Sequence, residues 1–186
     1  MKPTGIPRFI VLLRGVNVGK GNRVPMAEFR GLLEAQGYTE VRTLLNSGNA
    51  VFSSAGRSAA AHATNIADSL RQRLGLNIQV VVKSSAGFLA AVAENSLSPG
   101  ESEYSRLLAV FSQERRSLEN LSALQPLVRP NERFVIGRQA AYLHCAGGIL
   151  ESKVATALLG KTGGSFTTRN WATVLKLKAL LRGCVA

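Results

Sequence analysis

Apolar residues along the chain fall into short continuous runs separated by longer stretches with helical spacing. Phe9-Ile10-Val11-Leu12-Leu13 is continuous, apolar and partly β-branched, so residues 8–14 read as a buried strand. Residues 25–36 read as an amphipathic helix: Pro25 suits a first turn, Glu28 suits the dipole, and Met26, Phe29, Leu32, Leu33 and Gln36 recur at helical intervals. Gly37 is placed to stop it. Val41–Leu45 and Ala50–Ser53 read as two short strands divided by the hairpin signal Ser47-Gly48-Asn49. A helix over about 58–74, ended by Gly75, and a strand over Ile78–Val82 complete the first half.

The resulting order, β-α-β-β-α-β, is that of a ferredoxin-like unit. In that topology the first and second strands run parallel with the third between them. The first strand-to-helix loop and the hairpin then sit at the same end of the sheet. Arg14–Arg23 and Ser47–Asn49 are therefore expected to be neighbours.

A short helix over 85–94 and a polar stretch over 95–103 read as a connector, after which the order begins again. A strand is expected over 106–111, a helix over 114–125, strands over 133–137 and 141–145, and a helix over 150–159. The closing strand of this second unit is not legible, because Lys161–Ser165 is glycine-rich and a helix over 169–182 follows. The fold class is α+β: two ferredoxin-like (α-β plait) units with antiparallel sheets, over 1–84 and 105–186, joined by the connector 85–104 and ending in a C-terminal helix. A single larger α+β sheet is the alternative.

The chemistry-bearing residues gather in three polar segments. The loop Arg14-Gly15-Val16-Asn17-Val18-Gly19-Lys20-Gly21-Asn22-Arg23 offers cations, amides and glycine-spaced backbone before a helix start, where anions are commonly held. It is not a P-loop: Gly15 to Lys20 is one residue short of that spacing, and Gly21 stands where a hydroxyl must hold magnesium. Ser47-Gly48-Asn49 alone is simplest as a tight turn, and its expected proximity to the first loop gives it a functional reading. In Thr167-Thr168-Arg169-Asn170-Trp171 a threonine is expected to cap the last helix. Arg169 would then lie in the first turn, against the dipole, unless an anion balances it. The candidate anion-binding residues are thus Arg14, Asn17, Lys20, Asn22, Arg23, Ser47, Gly48, Asn49, Thr168, Arg169 and Asn170.

Composition bears on the partner. The net charge is +12, shared equally between residues 1–95 and 96–186. Lys153, Lys161, Arg169, Lys176, Lys178 and Arg182 follow Glu151 with no further acid. Such a surplus attracts nucleic acid or phosphorylated molecules, although an arginine-rich composition also follows from codon bias. No apolar run reaches the length of a membrane span and no signal core opens the chain, which points to a cytoplasmic protein with no membrane partner. Cys145 in an apparent strand reads as a packing residue and Cys184 as incidental. Asp68 is the lone aspartate, and His62 and His144 are the only histidines. His144 and Cys145 should face opposite sides of a strand. Two-metal chemistry, zinc ligation and a Cys–His nucleophile are poorly supported, and neither metal nor cofactor is implied.

Five stretches, Leu13–Gly19, Val24–Glu28, Ser47-Gly48-Asn49 with Phe52, Gly148–Lys153 and Thr167–Trp171, resemble the bacterial domain-of-unknown-function family sixteen-ninety-seven, in the family's order and over almost the full chain. The resemblance implies ferredoxin-like units. Members commonly carry an asparagine after the tryptophan, where Ala172 stands here, so no role for an amide at that position carries over. The family's activity is not established, and the resemblance brings no catalytic residues. The leading expectation is a protein that binds nucleic acid or a nucleotide phosphate. An enzyme on a small phosphorylated or acidic substrate, needing a concave pocket between the units, is the alternative. A protein-interaction module docking at a sheet edge is a third. No oligomeric state is implied.

Overall fold

A computed structural model describes residues 5–19, 21–56, 58–160 and 165–183. The first unit runs β1 (Arg8–Leu13), α1 (Met26–Ala35), β2 (Thr39–Leu44), β3 (Asn49–Ser53), α2 (Ala59–Leu74), β4 (Val80–Ser84) and α3 (Ser85–Glu94). The second runs β5 (Leu107–Ser112), α4 (Arg115–Glu119), β6 (Glu132–Ile136), β7 (Ala141–Cys145), α5 (Lys153–Leu159), β8 (Phe166–Asn170) and α6 (Trp171–Leu181). The sheets are antiparallel and four-stranded, ordered β2-β3-β1-β4 and β6-β7-β5-β8, the same order in each unit. The α+β fold of two ferredoxin-like units with a terminal helix is therefore correct.

Continuous apolar strands follow from layering, since each sheet is buried on both faces. Phe9, Val11 and Leu13 of β1 pack with Phe29 and Leu33 of α1 and Ile66 and Leu70 of α2. Ile10 and Leu12 point the other way, into a cluster with Phe88 of α3, Val174 and Leu177 of α6, and Leu107, Ala109 and Phe111 of β5. Leu108 and Val110 reach the far side of the second sheet, against Leu118 of α4 and Leu158 of α5. The layers run α1/α2, first sheet, α3/α6, second sheet, α4/α5. α3 lies within the stretch expected to be a connector and here packs at the centre, against β4, β1 and α6. No described helix is long and apolar enough to cross a membrane.

Three expectations need correction in the second unit. The helix expected over 114–125 is a short α4 followed by a 3-10 segment, Asn120–Leu127, that contains Pro126. Proline lacks the N–H of a helical residue and disfavours α geometry at the residue before it. α5 begins only at Lys153, where Ser152 accepts a cap hydrogen bond from the N–H of Ala155. The closing strand is β8, which includes Thr167–Asn170. Pairing with β5 satisfies that backbone, and threonine and phenylalanine fit a pleated surface, so the helix starts two residues later than expected. Asn170, not a threonine, caps it by accepting from the N–H of Thr173 at 2.9 Å.

Candidate functional site

β1 ends at Leu13, whose N–H donates to the Gly48 carbonyl at 2.8 Å, so the first loop and the hairpin meet as the topology requires. Asn17 holds the loop closed. Its Nδ2 donates to the carbonyls of Val24 at 2.8 Å and Asn46 at 2.7 Å, while Oδ1 accepts from the Val24 N–H. The residue sits at φ 56°, a left-handed conformation that asparagine tolerates. Gly48 is required for a second reason besides its φ of 72°. A Cβ there would lie 2.6 Å from Leu13 Cβ and Val16 Cγ2, so a side chain would push the two segments apart. Asn49 is not a turn residue: it opens β3, fully buried, and its Nδ2 donates to Ser47 Oγ at 2.8 Å.

The third segment joins these two. Arg169 leaves β8 and crosses into the first unit, only 8% exposed. Its Nε donates to Asn49 Oδ1 at 2.5 Å, Nη1 to Thr167 Oγ1 at 2.9 Å and the Thr168 carbonyl at 2.6 Å, and Nη2 to the carbonyls of Leu13 at 2.7 Å and Ser47 at 3.0 Å. Every guanidinium N–H has an acceptor, and all the acceptors are neutral. Among the described residues no Asp or Glu pairs with Arg169. Burial pushes its pKa down to about 10, so it stays cationic at neutral pH with its charge solvated by carbonyl dipoles. The placement expected in a helix first turn is replaced by this interior one. The dipole conflict that hinted at an anion disappears, and an unneutralised buried charge takes its place.

Arg14 makes a parallel crossing at the edge of the same region. Its Nη1 donates to the Phe166 carbonyl at 2.5 Å and Nη2 to that of Gly160 at 2.8 Å, and the guanidinium lies 4.8 Å from the Phe166 ring centre. Partial burial lowers its pKa as well. Between the units opens a cleft of about 390 Å³. Leu13, Arg14, Gly15, Val16, Val18 and Ser47 form its first-unit wall. The second-unit wall is Leu158 and Leu159 from the end of α5, Thr167–Asn170 from β8 and Thr173 from α6. None of these residues is Asp or Glu.

Of the eleven candidates, Arg14, Ser47, Thr168, Arg169 and Asn170 line the cleft, with Gly48 and Asn49 directly behind it. Arg23 and Asn17 instead line a separate hollow beside Asn46, Pro25 and Met26. Asn22 is exposed in the loop, where its carbonyl accepts from the Asn17 N–H, and Lys20 lies outside the described residues. The amide of Asn17 is occupied in holding the backbone, that of Asn49 in holding the hairpin and Arg169, and the Oδ1 of Asn170 in capping α6. The lining residues absent from those eleven are Leu13, Gly15, Val16, Val18, Leu158, Leu159, Thr167 and Thr173. Thr173 could have been found one helical turn beyond Asn170, but the leucines carry no local signal, because only the packing of one unit on the other brings them here. Cys145 is buried, as expected, and burial pushes its thiol pKa up; Cys184 lies outside the described residues.

Residues 6–142 match a family described as a protein of unknown function, DUF1697. The chain belongs to this family. The DUF1697 match covers the first loop and the hairpin and ends at Tyr142, before β8, so the Arg169 segment of the site lies beyond it. A solved structure of similar fold is that of the conserved bacterial protein SP0830 from Streptococcus pneumoniae. It aligns at a TM-score of 0.76 and 23% identity, covering 95% of this chain and 99% of that one. At that identity the likeness shows the fold alone and nothing about a ligand. No curated protein matches the sequence.

Proposed function

We propose that this protein binds a small anionic ligand, a nucleotide phosphate or a comparable small acid, in the cleft between the two units. The observation that supports it most is Arg169: a buried cation with no carboxylate partner among the described residues, in the wall of a cleft whose described lining carries no acid. A charge in low dielectric acts over longer distances than one in water, so the cleft attracts anions even though every N–H of Arg169 is already engaged. The hydroxyls of Ser47, Thr168 and Thr173 supply donors to the ligand. The cleft's volume suits a small molecule better than a polymer.

Nucleic acid is the second reading, favoured by the net charge of +12. A titration separates the two. The small-ligand reading expects inorganic phosphate to bind saturably, with affinity lowered by Ser47→Ala and Thr168→Val. The nucleic-acid reading expects oligonucleotide binding that falls steeply with salt and is indifferent to those substitutions. Absence of phosphate binding at low salt overturns the small-ligand reading. The free buried thiol of Cys145 and the absence of any described membrane span are compatible with a cytoplasmic location, which belongs to the same proposal.

A further inference from the structure

We infer that the ligand of the inter-unit cleft is amphiphilic, a small anion with an apolar body, an inference that rests on the anion-binding reading above. The cleft has a graded lining. Its buried floor holds the charge and hydroxyls, with Arg169 8%, Thr167 2% and Thr173 7% exposed. Its outer part carries two large apolar side chains left open to water, Val18 at 70% and Leu159 at 53% exposure. One comes from each unit: Val18 from the loop after β1, Leu159 from the last turn of α5. Single exposed apolar residues are ordinary on a surface. Two that line one cleft above a cationic floor are instead placed to cover the body of a bound molecule.

The chemistry follows from that order of groups. An anionic head is drawn to the floor, where Arg169 supplies field and Ser47 and Thr168 supply hydrogen bonds. An aliphatic or aromatic body then lies between Val18 and Leu159 and removes both from water. A free phosphate or a short diacid leaves those side chains exposed and gains nothing from them. Full burial of each added methylene would tighten binding about fourfold, and a cleft open on one side keeps at least about twofold of that.

The test is a titration of the full chain with acetate, hexanoate, octanoate, inorganic phosphate and hexanol, followed by the methyl NMR signals of Val18 and Leu159. Affinity is expected to rise along the alkanoate series, to exceed that of hexanol, and to move both methyl groups. Val18→Ser with Leu159→Ser is expected to flatten the chain-length dependence while leaving phosphate binding unchanged; the exposure of both residues keeps the substitutions out of the core. Phosphate or acetate binding as tightly as octanoate overturns the amphiphile and leaves the anion reading standing. Hexanol matching hexanoate likewise overturns the amphiphile, and no binding by any anion overturns both.

Discussion

Arg169 Nε donates to Asn49 Oδ1 at 2.5 Å, joining residues 120 positions apart and the two units to each other. Asn49 Nδ2 in turn bonds the Leu44 carbonyl and Ser47 Oγ. The arginine therefore grips the hairpin through the Asn49 amide oxygen and the Ser47 carbonyl, and the hairpin is held in place by a residue of the other unit.

Removing either partner strands buried acceptors or donors. Arg169→Ala is expected to cost at least about 3 kcal/mol in urea unfolding, because several buried carbonyls lose their donor. Arg169→Lys is expected to cost about 1–3 kcal/mol, since a single ammonium cannot span the same acceptors. Asn49→Ala falls in the same range, and the double variant should cost less than the sum of the single ones. Additive costs would show that the two side chains do not act as one unit.

Gly48 and Gly15 both have positive φ, 72° and 61°, but only Gly48 is crowded. Gly15→Ala is expected to cost about 1–2 kcal/mol from backbone conformation alone. Gly48→Ala adds the collision with Leu13 and Val16, for about 2–4 kcal/mol in all. Thermal unfolding of the two variants checks the difference. Equal losses would mean that the close approach of loop and hairpin is not tight.

Lys83 on β4 is partly buried, and desolvation lowers its pKa from 10.5. The folded state sheds this proton before the unfolded chain does. The residue's contribution to stability therefore rises with pH between its lowered pKa and 10.5. Lys83→Met is expected to be at least as stable as the parent at pH 7, with its advantage shrinking as pH approaches that upper limit. Urea unfolding across this range measures it, and a loss of stability at neutral pH would contradict the account.

Much of this architecture is written in local pattern. The run Phe9–Leu13, the spacing of Phe29, Leu32 and Leu33, and the glycine at 48 each answer to a short-range rule, and topology alone brought the first loop to the hairpin. β8 escaped because a strand bordered by glycines is stabilised mainly by its pairing with β5, which no local signal reports. The role of Arg169 is hidden from local pattern for the same reason. A cation placed by sequence in a helix first turn turned out to be an interior residue of a strand, and its burial depends on the packing of two units. Leu158 and Leu159 complete the cleft for reasons equally absent from their own neighbourhood.

The central claim is that the three segments form one anion-binding cleft, and amide NMR during titration with inorganic phosphate tests it most directly. Saturable shifts are expected at Gly15, Val16, Ser47, Thr168 and Asn170, with affinity reduced about tenfold in the variant carrying both Ser47→Ala and Thr168→Val. Shifts scattered over exposed lysines and arginines without saturation, or none at these residues, would contradict it.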